Sequence, residues 1–591
     1  MCGWLKFGCC EPVNRGWQEE LLKVGGRATE TNTSHTRKLM TKGEAFDGRE
    51  PSASCPCIAS GSICLLMADK EAIAQAPSSQ EDAAARDVRW RLFVPLGAII
   101  SLHLLLLRPW YLFDRPYWHD EAWVVIADRA PLSQLGLTTG TTPIGWTFLM
   151  TIVPGRGDQH QRLLPLVFSV GAVIVAYLLA RDLLGSRLSG AVTGSFTAVA
   201  VAVAPIALAR QDLKQYTADA FFALLVLWLV IRLETTWSAR RMRMLVIVAV
   251  SASLVSYASM FVTAAVMTSL VVVNVVRGDR RKLIQSLIAG AITAAILLAV
   301  VGLIVSPHIS ESLTSYWSDF YLDGDAGLWA LTKVIWSRLD GLAPLLGFRW
   351  PLLIGLLVIT GVVAMKRRDF PIAALAIPIL WLEMVFMGMF EKYPFLDQRT
   401  SHFLLILTIA VAGIGMESLF SSVSLRSSSL ATGLLLLAFG MVLWQSSAFV
   451  GTRSFPHDEV RAQTRYVENN YESGDVVLVN ALSGKGFAYY WPDQPTFFPT
   501  DRFLSGFNVR FDQANIVLAE GRSASDIEEA FGAALRSASL RDSTGIIWLV
   551  RFYMAESELA AWQSVMDRGD LSIRKVEGAP ESLTLITKIT D

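Results

Sequence analysis

The chain has 591 residues, 52% of them apolar and only 18% charged, against roughly 25% charged in soluble domains. Lys plus Arg and Asp plus Glu each number 52, so the net charge is zero and no global basic field points to nucleic acid. Mean hydropathy is +0.42, and the apolar residues gather in runs of about 18 to 24, long enough to cross a bilayer, which excludes a string of soluble domains.

All six cysteines (Cys2, Cys9, Cys10, Cys55, Cys57, Cys64) lie within the first 64 residues. Cys55-x-Cys57 with Cys64 lacks the paired spacing of a zinc site. Residues 1–66 are polar, rich in Gly, Ser and Thr, and without periodicity, whereas Met67 opens a stretch that reads as an ordinary cytoplasmic start. Residues 1–91 are therefore expected to form a tail whose first 66 residues are either disordered or precede the real start at Met67, and in both cases dispensable. The first apolar run starts near Leu92, too late for a signal peptide at the head of the chain.

Membrane spans are expected near 92–111, 162–181, 189–209, 215–232, 244–259, 260–277, 283–306, 351–365, 371–390, 401–419 and 429–449, about eleven in all. The run Leu245–Val276 is too long for one span and reads as a hairpin turning near Tyr257–Met260; the span count there stays open. Short segments rich in Arg and Lys (Arg86–Arg91, Arg181 and Arg187, Arg232–Arg243, Arg277–Lys282, Lys366–Arg368, Arg426) put the N-terminus in the cytoplasm. An odd number of spans then places the C-terminus outside.

Three outer segments exceed simple connectors. In 112–161, His119–Arg129 and Pro143–Val153 have helical character and could lie along the membrane surface. The segment 307–350 carries Tyr316, Trp317, Tyr321 and Trp329, residues that favour the interface. From 451 onward, Val476–Asn480, Gly545–Val550, Leu571–Val576 and Leu583–Ile589 read as strands, and Asp458–Tyr471, Ser525–Arg536 and Glu556–Asp567 as helices. That alternation predicts a small α/β domain over 451–591, with Ser525 and Glu528 as a capping box.

Candidate chemistry collects on the outer side. Asp120 and Glu121 stand side by side after the first span. A partly desolvated carboxylate there suits a general base; acidic residues at a helix start also serve as caps. Arg210, Asp212, Lys214 and Tyr216 fall within seven residues between the third and fourth spans, and Arg399 precedes the tenth. Such basic residues either snorkel to headgroups or supply an anion site for a lipid phosphate. Asp323-Gly324-Asp325 has the form of a metal-holding D-x-D, but turn chemistry produces the same pattern, and a divalent metal is not favoured.

Four stretches carry a resemblance over roughly Phe93 to Val450: Asp120-Glu121-Ala122-Trp123; Thr142-Pro143-Ile144-Gly145-Trp146; Arg162-Leu163-Leu164-Pro165 running to Ala180-Arg181-Asp182-Leu183-Leu184-Gly185; and Lys214-Gln215-Tyr216. In this order the chain resembles the glycosyltransferase C superfamily (GT-C), the polytopic enzymes that use lipid-phosphate sugars and include protein mannosyltransferases, aminoarabinose transferases and rhizobial lipopolysaccharide transferases. Thr142-Pro143-Ile144 departs from that family's usual His-Pro-Pro.

The resemblance implies a polytopic α-helical GT-C-like fold with an extracytoplasmic C-terminal α/β domain, in the inner or plasma membrane. It implies transfer of a hexose or pentose from a polyprenyl-phosphate donor to an envelope glycan, lipid or protein, with inversion and without a cofactor. Asp120 would be the base with Glu121 in reserve, and Arg210, Lys214, Tyr216 and Arg399 would hold the donor phosphate. Rival readings are a flippase for lipid-linked saccharide and a non-catalytic membrane scaffold or sensor. Flippases usually carry ionisable residues near the bilayer midplane, and here the spans hold few beyond Glu383 and Glu417.

Overall fold

A computed structural model describes residues 94–588 apart from short segments at 140–141, 154–158, 186–193, 307–310, 348–349, 425–427, 453–459, 540–545, 553, 555, 568–570 and 577–582. The expectations for residues 1–66, the Met67 start and the tail to residue 91 lie outside the described residues.

A helix occupies every expected span: Val94–Leu107, Leu163–Leu184, Ser195–Val203 followed by Pro205–Ala209, Tyr216–Thr235, Ala239–Val255, Ala258–Val276, Arg280–Val300, Pro351–Arg367, Pro371–Met389, His402–Ser424 and Ser428–Thr452. Six of the described helices are by themselves long and apolar enough to cross a membrane, or up to seven if a bent pair counts as one span. The others are shorter or interrupted. The third expected span breaks at Ala204, where Pro205 opens a new helix, and its residues Phe196–Leu208 are buried among the other helices. The Arg280–Val300 helix, by contrast, presents Ile284, Leu287, Ile288, Ile292 and Leu298 outward, as a lipid-facing helix does.

Close crossings need glycine. A Cβ on Gly415 would meet the Leu357 carbonyl oxygen at 2.1 Å, and one on Gly361 would meet that of Val411 at 2.3 Å, so the Pro351–Arg367 and His402–Ser424 helices touch backbone to backbone.

The two ends of the bundle differ. At one end Arg232 pairs with Asp182 at 3.0 Å, Glu234 accepts from the Ile372 and Ala373 N–H groups, and Arg368 donates to the Leu184 carbonyl. The Trp237 indole donates to Gln285 at 2.7 Å with Lys282 over its ring, which puts Arg277–Lys282 at this same basic end. The helices preceding and following Ser256–Tyr257 both come from that end, so the break expected near Tyr257–Met260 falls at Ser256–Tyr257.

The 307–350 segment contains a 16-residue helix, Gly327–Leu342. Its Leu328 and Trp329 are exposed, which suits an interfacial helix.

From Val460 the chain folds as an α/β unit. Strands β1 (Val476–Val479), β2 (Thr496–Pro499), β3 (Phe507–Arg510), β4 (Ile516–Leu518), β5 (Ile546–Val550), β6 (Leu571–Lys575) and β7 (Thr584–Lys588) form a five-stranded sheet in the order β4-β1-β5-β7-β6 and a β2–β3 hairpin. β4, β1 and β5 run parallel; β7 runs antiparallel to both β5 and β6. The four fully buried residues of β1, Val476–Val479, match a central parallel strand. The helix over Ala524–Ser539 is capped two residues earlier than expected. Ser523 and Asp526 form the reciprocal box, the Ser523 N–H donating to Asp526 Oδ2 and the Asp526 N–H to Ser523 Oγ. Ser525 and Glu528 do not form it, because the chain already turns helical at Ala524.

Candidate active site

The site is built on a short helix, His119–Val125. Trp118 precedes it in extended conformation and offers no side-chain cap, so Asp120 and Glu121 enter the first turn, where the helix dipole favours anions. Both carboxylates are buried, at 4% and 0% exposure, yet they go different ways.

Glu121 turns inward. Its Oε1 lies 3.1 Å from Arg115 and its Oε2 2.5 Å from Arg162. Arg162 spends its remaining donors on the Leu112, Arg115 and Pro116 carbonyls and lies over the Tyr117 ring at 4.6 Å. Leu112, Arg115, Pro116, Tyr117 and Glu121 are thereby tied to the start of the Leu163–Leu184 helix. Glu121 does not line the cavity described below.

Asp120 turns outward onto cations. Its Oδ2 is 3.0 Å from Arg399 Nη1 and 3.8 Å from Lys214 Nζ, and its Oδ1 is 3.1 Å from His119 Nε2. Burial alone would raise the carboxyl, but Lys214, His119 and Arg399 together outweigh it and hold Asp120 well below the usual carboxylate range.

Each cation is itself placed. The Trp146 indole donates to the Leu213 carbonyl at 2.7 Å, fixing the loop just before Lys214, and Lys214 Nζ sits 3.9 Å from the centre of the Trp123 ring. Gly145, beside Trp146, lies against the Leu254 carbonyl, where a Cβ would come within 2.7 Å. Arg399 is set by Asp397, whose Oδ2 accepts from the Arg399 and Thr400 N–H groups. Arg338 donates to the carbonyls of Phe320, Tyr321 and Phe395, clamping the outer segment to the loop that carries Arg399.

Asp120, Lys214, Tyr216 and Arg399 line one cavity of about 370 Å³. Its walls are aromatic, with Trp123, Tyr257, Trp317 and Tyr393 among them. Arg210 is not in this lining; it pairs with Asp212 at 3.8 Å behind the wall, where burial pushes the Asp212 carboxyl up against the pull of Arg210. Asp323 Oδ1 accepts from the Asp325 N–H and caps the turn Gly324–Ala326, a use of D-x-D that is turn chemistry.

The C-terminal unit docks on this helix. Gly486, in the helix Gly484–Tyr490, packs against Ala122, with 3.7 Å between the Ala122 Cβ and the place of a Cβ on Gly486. The Tyr490 hydroxyl accepts from the Tyr117 N–H. Arg129 donates to the carbonyls of Ala488, Tyr489 and Pro492 at the C-terminal end of that helix, where a cation also suits the dipole. Leu504 reaches the cavity wall. Sequence reasoning did not assign the Gly484–Tyr490 helix, since seven residues with two glycines show no apolar period. Nor did it see Arg162 as the partner of Glu121, although Arg162 stood in a quoted stretch.

No family model matches the sequence, and no curated protein matches it. Among solved structures the chain is similar to an oligosaccharyltransferase from Archaeoglobus fulgidus in complex with zinc and sulfate, at 14% identity and a TM-score of 0.48, over 77% of this chain and 67% of that one. It is also similar to ArnT from Cupriavidus metallidurans, both bound to undecaprenyl phosphate and in the apo state, at 12% identity and a TM-score of 0.48, over 83% of this chain and 97% of that one. A likeness of this degree transfers no substrate, and the chemistry rests on the side chains.

Proposed function

We propose that the chain is a GT-C-type membrane glycosyltransferase that moves a hexose or pentose from a polyprenyl-phosphate donor to an envelope glycan, lipid or protein on the extracytoplasmic face. The observation that carries this reading is the placement of one carboxylate, Asp120, against two cations, Lys214 and Arg399, on the wall of an aromatic cavity. The cavity lies at the end of the bundle opposite the Arg- and Lys-rich segments, and the positive-inside bias makes that end extracytoplasmic. The same bias puts the N-terminus in the cytoplasm and the C-terminal unit outside, in an inner or plasma membrane crossed about eleven times.

In the proposed step an acceptor hydroxyl oxygen attacks the anomeric carbon. The bond from that carbon to the phosphate oxygen breaks, its electron pair leaves on polyprenyl phosphate, and the acceptor proton passes to Asp120. Direct displacement inverts the anomeric centre. Lys214 and Arg399 neutralise the phosphate as its charge grows, with the Tyr216 hydroxyl beside them and Arg210 adding to the field from behind. No cofactor enters the step.

The pairing of base and cations has a consequence. Held by its cations, Asp120 is a weak base. A phosphodiester entering the cavity competes for Lys214 and Arg399, and as they turn to it Asp120 loses the charges that depress its pKa, while its burial remains. Donor binding thus arms the base. Transfer of label from a polyprenyl-phosphate sugar to envelope acceptor by purified protein in detergent tests the reading. Glycan mass spectrometry of envelopes with and without the protein identifies the product, and an unchanged envelope glycan profile speaks against it.

A further inference from the structure

A second carboxylate lines the same cavity and is left unused by the step above. Asp219 sits in the first turn of the Tyr216–Thr235 helix, is only 3% exposed, and belongs to the cavity wall. Its backbone N–H is satisfied by the Gln215 carbonyl. Its side chain lies beside Ser256, but among the described residues Oδ1 has no hydrogen-bond partner and no ion pair includes it. This is the reverse of Glu121, whose carboxylate is saturated by two arginines. A buried acceptor without a partner is costly, and at a cavity wall the natural completion is a ligand donor.

The surroundings indicate the donor's chemistry. The Tyr393 hydroxyl is already committed to the Thr400 carbonyl and the Tyr257 hydroxyl to that of Thr142, so what these residues offer the cavity is their rings. Aromatic faces beside a buried carboxyl suit a saccharide, whose C–H face lies on rings while its hydroxyls hydrogen-bond to the carboxyl.

We propose that Asp219, with the rings of Tyr257 and Tyr393, forms a subsite that recognises hydroxyl groups of the sugar carried by the donor. The inference rests on the glycosyltransferase reading and names which part of the cavity selects the sugar. Asp219 is a specificity-determining residue; the proton of the acceptor goes to Asp120.

The test separates sugar from phosphate. Binding of bare undecaprenyl phosphate and of undecaprenyl-phosphate-linked glucose, mannose and arabinose is measured for the full-length protein, Asp219→Asn and Asp219→Ala, with thermal unfolding as the folding control. The parent binds at least one sugar-bearing lipid about 10-fold tighter than the bare lipid, the upper scale of a single hydrogen bond. Both variants lose that difference and keep the parent's affinity for the bare lipid; Asp219→Asn guards against a folding defect in Asp219→Ala. Equal weakening of bare and sugar-bearing lipid, or a parent that prefers none of the three sugars, overturns the subsite. Failure of the broader reading has a different signature: Lys214→Ala then leaves the affinity for bare undecaprenyl phosphate unchanged.

Discussion

Glu121 Oε2 and the Arg162 guanidinium lie 2.5 Å apart in the protein interior, while the neighbouring carboxylate of Asp120 faces the cavity. Adjacent acids therefore carry different duties, and substitutions should separate them. Removing one partner of a buried pair leaves the other uncompensated and costs about 3–5 kcal/mol. Glu121→Gln and Arg162→Met are each expected to lower the thermal midpoint strongly. A Glu121→Gln protein with parental thermal stability and lost turnover would reverse the assignment and make Glu121 the base.

Lys214 and Arg399 are expected to act on the donor phosphate. Truncating either to Ala should weaken binding of undecaprenyl phosphate about 10- to 100-fold, the span for hydrogen bonds to a charged group. Tryptophan fluorescence is a direct readout, since Trp123 and Trp317 line the cavity. Arg210→Ala should do less, because Arg210 stands behind the wall beside Asp212. An Arg210→Ala effect larger than that of Lys214→Ala would place the phosphate elsewhere.

Much of this site was legible in the sequence. Asp120, Lys214 and Arg399 could be singled out because charged residues beside apolar runs are conspicuous, Tyr216 because it follows Lys214 in the same short cluster, and a 3.6-residue period locates helices. What stayed hidden was partnership at long range. That Arg399 meets Asp120 across 279 positions, or that Arg162 closes on Glu121, follows from helix packing that no local pattern encodes. Asp219 was hidden for another reason: one acid in an apolar helix start gives no sign of whether its carboxylate is capped, paired or open to a cavity. In the C-terminal unit β1 and β5 were readable because Val476–Val479 and Ile546–Val550 are unbroken apolar runs, while β2 and β3, broken by Pro499, Asn508 and Arg510, and the three-residue β4 were not.

The proposed orientation makes a separate claim. A reporter fused after Asp591 should read as extracytoplasmic and one at Arg241 as cytoplasmic. A cytoplasmic signal after Asp591 would put the cavity on the wrong leaflet for an extracytoplasmic donor.

Lys485 offers a pH prediction in the C-terminal unit. Its ammonium is buried, bonded to Ser505 Oγ at 2.8 Å and set over the Phe503 ring, and burial lowers its pKa from 10.5 to about 7. Between pH 7 and 10.5 the unfolded chain therefore holds more protons than the folded one, so stability rises with pH across that window. Lys485→Met should be more stable than the parent at pH 7 and below, with the advantage shrinking as pH approaches 10.5. Thermal midpoints of both proteins at several pH values in that range check it; a difference independent of pH would mean that the lysine stays charged in the fold.

The most direct test of the account is turnover by Asp120→Asn. Asn keeps the volume and still caps a helix start, so a capping role predicts near-parental transfer with a small loss of stability. A positioned base predicts a loss of roughly 100-fold or more, with the protein inserted and folded. Transfer from a defined polyprenyl-phosphate sugar to acceptor, measured beside thermal unfolding, decides between them: the account predicts at least that loss at near-parental stability, and turnover within a few-fold of the parent would contradict it.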